Sequence, residues 1–235
     1  MYALSRLSLA ALFVSAGFAC TTGQLVQEYS GAPLPRPDRI LVYDFATTPG
    51  EVRLDRGLSA KVVEAAKSEP RSEQERELGQ KVARALSDHL IKELRALGLP
   101  TQRGTGEPPT SGNSMLIEGQ FVSIDQGNRT ARVVIGLGAG RSDVETHVQV
   151  YFAREGGIQT LEKLDVSAKG SLKPGAAETL GVGAVAGNLV VAGVVTAATT
   201  VASETLGGTV EADAKRTASK ITKELKPFFE RQGWL

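Results

Sequence analysis

The sequence predicts an α+β fold in which a mixed five-stranded sheet is covered by two helices. Short apolar runs with a period of two occur in the middle of the chain, and two longer segments repeat apolar residues every three or four positions. Their order predicts a strand–helix–strand crossover followed by an antiparallel meander. An uncharged segment rich in Gly, Ala and Val is expected to form additional helix.

The crossover begins with an apolar strand over residues 40–45. A helix is predicted over residues 73–97, where Ser72 and Glu75 have the spacing of a capping box. A short strand near Thr101 completes the crossover. The apolar face of this helix consists of Leu78, Val82, Leu86, Leu90, Leu94 and Leu97.

The meander is predicted from three further strands, over residues 115–124, 144–152 and 164–168. In the second and third, apolar and polar residues alternate, which is typical of strands with one wet face. Gly156 and Gly157 lie between these two strands and predict a tight turn. The second and third strands are therefore expected to form a hairpin.

The C-terminal part of the chain contains two segments of different character. Residues 208–231 predict an amphipathic helix that covers a face of the sheet. Residues 180–203 carry no charge, and Gly183 and Gly187 are spaced so that two helices could approach closely. The length and neutrality of this segment fit either a membrane span or a helix or hairpin packed on the protein's own sheet.

The N-terminus predicts export and lipid attachment. Residues 1–19 have the layout of a signal peptide, with one positive charge before an apolar run. The four residues ending at Cys20 resemble the lipobox of bacterial lipoproteins, which makes this sole cysteine the predicted lipid attachment site. Residues 20–37 are expected to form a lipidated tether to a single domain over residues 38–235. The alternative is plain cleavage after Ala19, which leaves a free cysteine.

Gly136, Gly138 and Gly140 follow a valine-rich run and invite comparison with a phosphate-binding loop. A dinucleotide site needs a third glycine where Arg141 stands, and a helix rather than an alternating strand must follow. We therefore predict a turn, or close packing against the other glycine-rich segment. The candidate assembly and packing positions are Gly136, Gly138, Gly140, Gly183 and Gly187.

Other chemistry is weakly indicated. The net charge of +1, with both signs intermixed, disfavours nucleic-acid binding. His89 and His147 lack the short-range partners that a zinc site requires, so we predict neither metal nor cofactor. Asp44 and Asp125 follow strand ends; turn capping explains them, although a hydrolase or ligand site remains an alternative.

Several motifs carry a family resemblance. Residues 42–46, 49–52, 117–121 and 127–140 are similar to a family of proteobacterial envelope lipoproteins, the domain of unknown function 4410. The resemblance spans nearly the whole mature chain and implies a secreted lipoprotein fold, without an established activity or catalytic residue. A more distant similarity is to the lipoprotein family that forms the curli secretion channel.

These observations predict a non-enzymatic outer-membrane lipoprotein facing the periplasm. Thr21, which follows the cysteine, favours the outer membrane by resemblance to sorting rules. The protein would contact the membrane through its lipid and bind an envelope protein or further copies of itself. The alternatives are a subunit of an oligomeric curli-type secretion channel and a soluble periplasmic ligand-binding protein or hydrolase.

Overall fold

A computed structural model describes residues 20–56, 70–110, 112–128, 131, 139–170 and 209–235. Within these residues the fold is α+β, as predicted, with an open seven-stranded mixed sheet and two helices. The strands are β1 (Cys20–Gln27), β2 (Arg39–Val42), β3 (Val52–Arg53), β4 (Thr101–Arg103), β5 (Ser114–Asp125), β6 (Asp143–Arg154) and β7 (Gly157–Lys169). The helices are α1 (Arg71–Ala96) and α2 (Val210–Arg231).

The sheet order is β1-β7-β6-β5-β2-β4, with β3 beside the far end of β5. β2 is parallel to both β4 and β5, and α1 makes the crossover between β2 and β4. β5, β6 and β7 form the antiparallel meander, and β6 and β7 are joined through Gly156 and Gly157, which both have positive φ. The predicted crossover, meander and hairpin are therefore confirmed.

Two strands, β1 and β3, were not predicted, so the strand count of five was too low. β1 pairs antiparallel with β7 and takes up the first residues of the predicted tether. The sequence of β1 does not alternate clearly between apolar and polar residues, so local pattern does not predict a strand there. The strand forms by pairing with the edge of β7, which lies far along the chain. β3 has only two residues, too few to show a period.

The residues between β1 and β2 are also docked on the domain. The indole nitrogen of Trp234 donates to the carbonyl of Leu34 at 3.3 Å, and the Leu34 amide donates to the Gln232 side chain at 2.6 Å. Trp234 is buried against Phe228 and Phe229, with ring centroids 5.4 and 6.1 Å away. The C-terminal aromatic cluster therefore contacts the predicted tether at Leu34.

Both helices pack on the same face of the sheet. Strands of the crossover and of the meander both contribute residues to the core between the sheet and the helices. Each fully buried leucine or isoleucine stabilises the fold by about 1.5–3 kcal/mol relative to an exposed one. The core residues of α1 include Leu78, Val82, Leu86, Leu90 and Leu94; those of α2 include Val210, Ala214, Ala218, Ile221 and Leu225. The apolar faces expected from the sequence are the ones that are buried.

The predicted capping box at the start of α1 is wrong. The helix begins at Arg71, after Pro70, and no side chain caps it. Ser72 therefore lies inside the first turn rather than before it, and Glu75 instead forms an ion pair with Arg71 at 3.1 Å. Proline fixes φ near the value it has here, −58°, so the chain can enter the helix earlier than the capping pattern suggested.

Gly119 should tolerate no side chain. A Cβ there would come within 2.6 Å of the carbonyl oxygen of His147 and against the ring of Phe45. We expect Gly119→Ala to lower the free energy of unfolding by about 1–3 kcal/mol, through overpacking. Gly50→Ala is the matched control, since its Cβ would meet no described atom within 4 Å. Equal urea midpoints for both variants would contradict this packing.

Candidate functional site

Cys20 lies at one end of the sheet, in a row of residues that we call the anchor row. Cys20 is opposite Lys169, Lys169 is opposite Asp143, and Asp143 is opposite Asp125. The four residues come from β1, β7, β6 and β5, so the row crosses most of the sheet. Cys20 is exposed and is the first residue of β1, with no spacer between it and the sheet.

The described residues that flank both glycine-rich segments lie close to the anchor row. Gly170 directly follows β7, and its amide donates to the carbonyl of Ser142 at 2.9 Å. The Asn128 amide donates to the carbonyl of Gly140, also at 2.9 Å, so the residues that flank 129–139 meet at this end. Four predicted packing positions, Gly136, Gly138, Gly183 and Gly187, lie outside the described residues.

The fifth predicted packing position, Gly140, is in a close turn. Its φ of +66° is in the left-handed region, where a side chain is strained. A Cβ would also come within 3.0 Å of the side chains of Asn128 and Ala131. The glycine therefore allows two backbone segments to approach at the anchor end.

A buried carboxylate fixes α2 to this end of the sheet. Asp213, in the first turn of α2, is fully buried and accepts a hydrogen bond from the Ser142 hydroxyl. It also pairs with Arg216. Burial raises the pKa of Asp213 from 3.8 to about 6, an effect that the Ser142 bond and the Arg216 charge only partly offset and that Asp143 reinforces. The sequence hinted at this contact only by an acidic residue next to an apolar stripe.

The charged residues of the anchor row are paired with one another or with nearby arginines. Lys169 Nζ lies 3.6 Å from a carboxylate oxygen of Asp143. Asp125 contacts Arg56 at 3.1 Å and accepts from the amide of Gly127 at 2.7 Å. The row is therefore polar but locally balanced in charge.

Asp44 and Asp125 are not brought together. Val42 is opposite Ile117 in the parallel pair of β2 and β5, so Asp44 and Asp125 are separated by about six residues along the sheet, or about 20 Å. Asp44 is ion-paired with Arg103, much as Asp125 is with Arg56. Each carboxylate has a structural contact of its own.

The two histidines also lie apart. His89 bridges the helices, with Nε2 3.2 Å from the hydroxyl of Ser219 on α2. His147 is on the face of the sheet opposite the two described helices, which we call the helix-free face, and its Nδ1 contacts the Asp165 carboxylate on β7. Across the part of the chain that the structure describes, no three His, Cys, Asp or Glu residues are grouped to hold a metal ion.

The helix-free face carries an open groove of about 450 Å³. The hydroxyl of Ser167 donates to Asp143 at 3.4 Å rather than to His147, so these residues do not form a nucleophile–base pair. The groove offers both donors and acceptors on an open surface, an arrangement suited to surface contact with a partner. Its lining includes Thr22, Gln24, Val122, Glu145, His147 and Asp165.

Neither described helix is both long and apolar enough to cross a membrane.

Asp213 should make stability depend on pH. Its pKa is higher in the folded chain than the ordinary 3.8, so ionisation disfavours the fold. We expect its contribution to lower the free energy of unfolding by up to about 3 kcal/mol as pH rises from about 4 to about 6. As pH rises, the free energy of unfolding measured in urea should therefore fall by this amount more in the wild type than in Asp213→Asn. The exposed control Asp38→Asn should show little change, and a constant difference for Asp213→Asn would contradict the account.

Comparisons with known proteins place the chain in a family. It is similar to the PelC dodecamer of Paraburkholderia phytofirmans at 13% identity and a TM-score of 0.34, covering 66% of this chain and 86% of that one. It is also similar to the hypothetical protein CT253 of Chlamydia trachomatis at 7% identity and a TM-score of 0.37, covering 80% and 94%. Comparison with curated proteins gave no match. The profile of the family Domain of unknown function (DUF4410) matches residues 40–187, and the chain belongs to that family.

Proposed function

We propose that the protein is a non-enzymatic lipoprotein on the periplasmic face of the outer membrane, which acts by binding another envelope protein or further copies of itself. The observation that carries this proposal is the place of Cys20. It is exposed, it is the sole cysteine, and it heads a strand at the end of the sheet where both glycine-rich segments join the fold.

A lipid on Cys20 would fix the orientation of the domain. Because β1 starts at this residue, the anchor row would lie at the bilayer surface with no flexible spacer between them. The 12 residues of β6 would then extend about 35–40 Å from the membrane, and its turn with β7 would be at the far end. The helix-free face would stand roughly perpendicular to the membrane surface.

The described residues on either side of the uncharged segment over residues 180–203 would lie on the membrane side in this orientation. Gly170, before it, and Asp213, after it, both contact Ser142. A segment without charge can be placed next to lipid at low cost, whereas charged residues at that depth would be expensive. The position of these flanking residues is compatible with membrane entry of the segment and with its packing on the domain.

The free edge of β1 favours self-assembly as one mode of action. β1 is the outermost of the described strands on its side of the sheet, so one edge of its backbone is available for pairing. Leu25 and Val26 on this strand are 36% and 56% exposed. A subunit of an oligomeric curli-type channel is the second candidate. The separation of Asp44 and Asp125 offers no support to the hydrolase alternative.

Lipid attachment is tested by labelling cells with a radioactive fatty acid. We expect label on the wild type, recovered in the outer-membrane fraction, and none on Cys20→Ser. An unlabelled wild type, or equal label on both forms, would contradict lipid attachment at Cys20.

Self-assembly is tested by the size of the gently extracted protein in detergent. We expect the wild type to be larger than a monomer and Val26→Lys to be smaller, because a charge on an edge strand opposes strand pairing. Ile158→Lys is the control, since Ile158 is also exposed but lies in the hairpin outside the β1–β7 register. A wild type that is monomeric at every concentration would contradict self-assembly. Binding of a different envelope protein would then be the proposed mode of action that is left.

A further inference from the structure

The helix-free face has a small apolar cluster of its own. Leu41, Leu116 and Ala153 are at most 7% exposed although no described helix covers this side. The half-buried side chains of Tyr43 and Tyr151 pack against them. A Cβ at Gly104 would meet the Tyr43 ring at 2.7 Å, so that ring lies directly on the backbone of the chain leaving β4.

One carboxylate lies between the two tyrosines. Glu118 is two residues beyond Leu116 on the same face of β5, and Tyr151 is directly opposite Leu116 on β6. Tyr43 follows β2, the strand on the other side of β5, and its amide bonds to the carbonyl of Ile117. Burial and the Glu118 charge raise the pKa of both tyrosines, as expected for a nearby carboxylate.

Nothing in the described part of the chain neutralises Glu118: no hydrogen bond or ion pair to its carboxylate occurs there. Gln149, its cross-strand neighbour, accepts a hydrogen bond from the Tyr151 hydroxyl. The nearest basic residue on the β6 and β7 side is Lys163, beyond Gln149 and two strands from Glu118. Burial raises the pKa of Glu118, which indicates an uncompensated cost of holding the charge there.

We propose that Glu118, Tyr43 and Tyr151 form a binding site for a cationic side chain, an arginine or lysine presented by a protein partner. The carboxylate supplies the opposite charge, and a guanidinium can bind it with two hydrogen bonds. Tyrosine rings attract a cation through their faces, and the attraction strengthens when the pair is partly desolvated. The leucines below limit the access of water to the site.

The residues around the site favour a partner segment with one basic residue among neutral residues over a segment with several basic residues. Gly119 and Gln120 follow Glu118, and Gln149 is beside it. At the other end of the cluster, Arg39 is exposed and its guanidinium donates to Ser114 at 3.0 Å, so a second positive charge there would be repelled. The partner segment should therefore carry a single basic residue.

This site rests on the binding function proposed above and specifies a cationic side chain as the group that the partner presents. The test uses the purified full-length protein in detergent and a fluorescein-labelled peptide, Gly-Ser-Arg-Gly-Ser amide, followed by anisotropy. We expect the wild type to bind this probe and to bind the same peptide with citrulline at least tenfold more weakly. Because binding is measured whether or not Cys20 carries lipid, failure of the anchor and failure of this site are distinguishable.

Variants locate the site. Glu118→Gln should weaken binding of the arginine probe at least tenfold, whereas Glu155→Gln, the same charge change in the exposed β6–β7 turn, should change it less than twofold. Tyr151→Phe should retain most of the binding and Tyr151→Leu should lose it, because the ring is needed. Absence of binding by the wild type, equal binding of the citrulline probe, or full binding by Glu118→Gln would overturn the proposal.

The same substitution checks the fold. Glu118→Gln removes a desolvated charge, so its thermal midpoint at pH 7.5 should be at least that of the wild type. A higher midpoint together with lost probe binding would show that Glu118 serves the ligand at the expense of stability. A lower midpoint would show that the carboxylate has a structural role instead and would contradict the site.

Discussion

The packing of both helices on one face of the sheet is the constraint on which the rest of the structure depends. α1 and α2 bury the alternating apolar residues of β5, β6 and β7, such as Val148, Val150 and Phe152, and neither of these described helices covers the opposite face. β6 and β7 therefore have a dry side and a side that can meet a partner. The small cluster around Leu116 lies on that second side, where the side chains of Tyr43 and Tyr151 pack against it.

The one-sided packing also determines what happens at the anchor end. Because α2 starts beside β6, its buried Asp213 can reach Ser142 and hold together the points where the glycine-rich segments join the fold. β1 adds to the free edge of β7 and brings Cys20 into the same row as Lys169. Cys20 and the described residues that flank the glycine-rich segments thus lie at the same end of the sheet, although they are far apart in sequence.

Local pattern predicted much of this fold. The helices were predictable because their apolar faces repeat over many turns, and the hairpin because Gly156 and Gly157 separate two alternating strands. β1 was not, since its partner β7 is more than a hundred residues away. The same limit applies to the sites. Cys20 stands out in the sequence, whereas Glu118, Tyr43 and Tyr151 come from separate segments and are neighbours only in the folded sheet. Register and burial are properties of the assembled chain.

The central claim, that Cys20 holds the anchor row at the membrane, is tested most directly by depth-dependent fluorescence quenching. A lipidated Cys20 has no free thiol, so an introduced cysteine is the only labelling position in the mature protein. Fluorophores at Lys169→Cys and Glu155→Cys would mark the two ends of the sheet in vesicles containing nitroxide-labelled lipid. If Cys20 holds the anchor row at the membrane, we expect strong quenching at position 169 and little at position 155. Equal quenching, or stronger quenching at position 155, would contradict it.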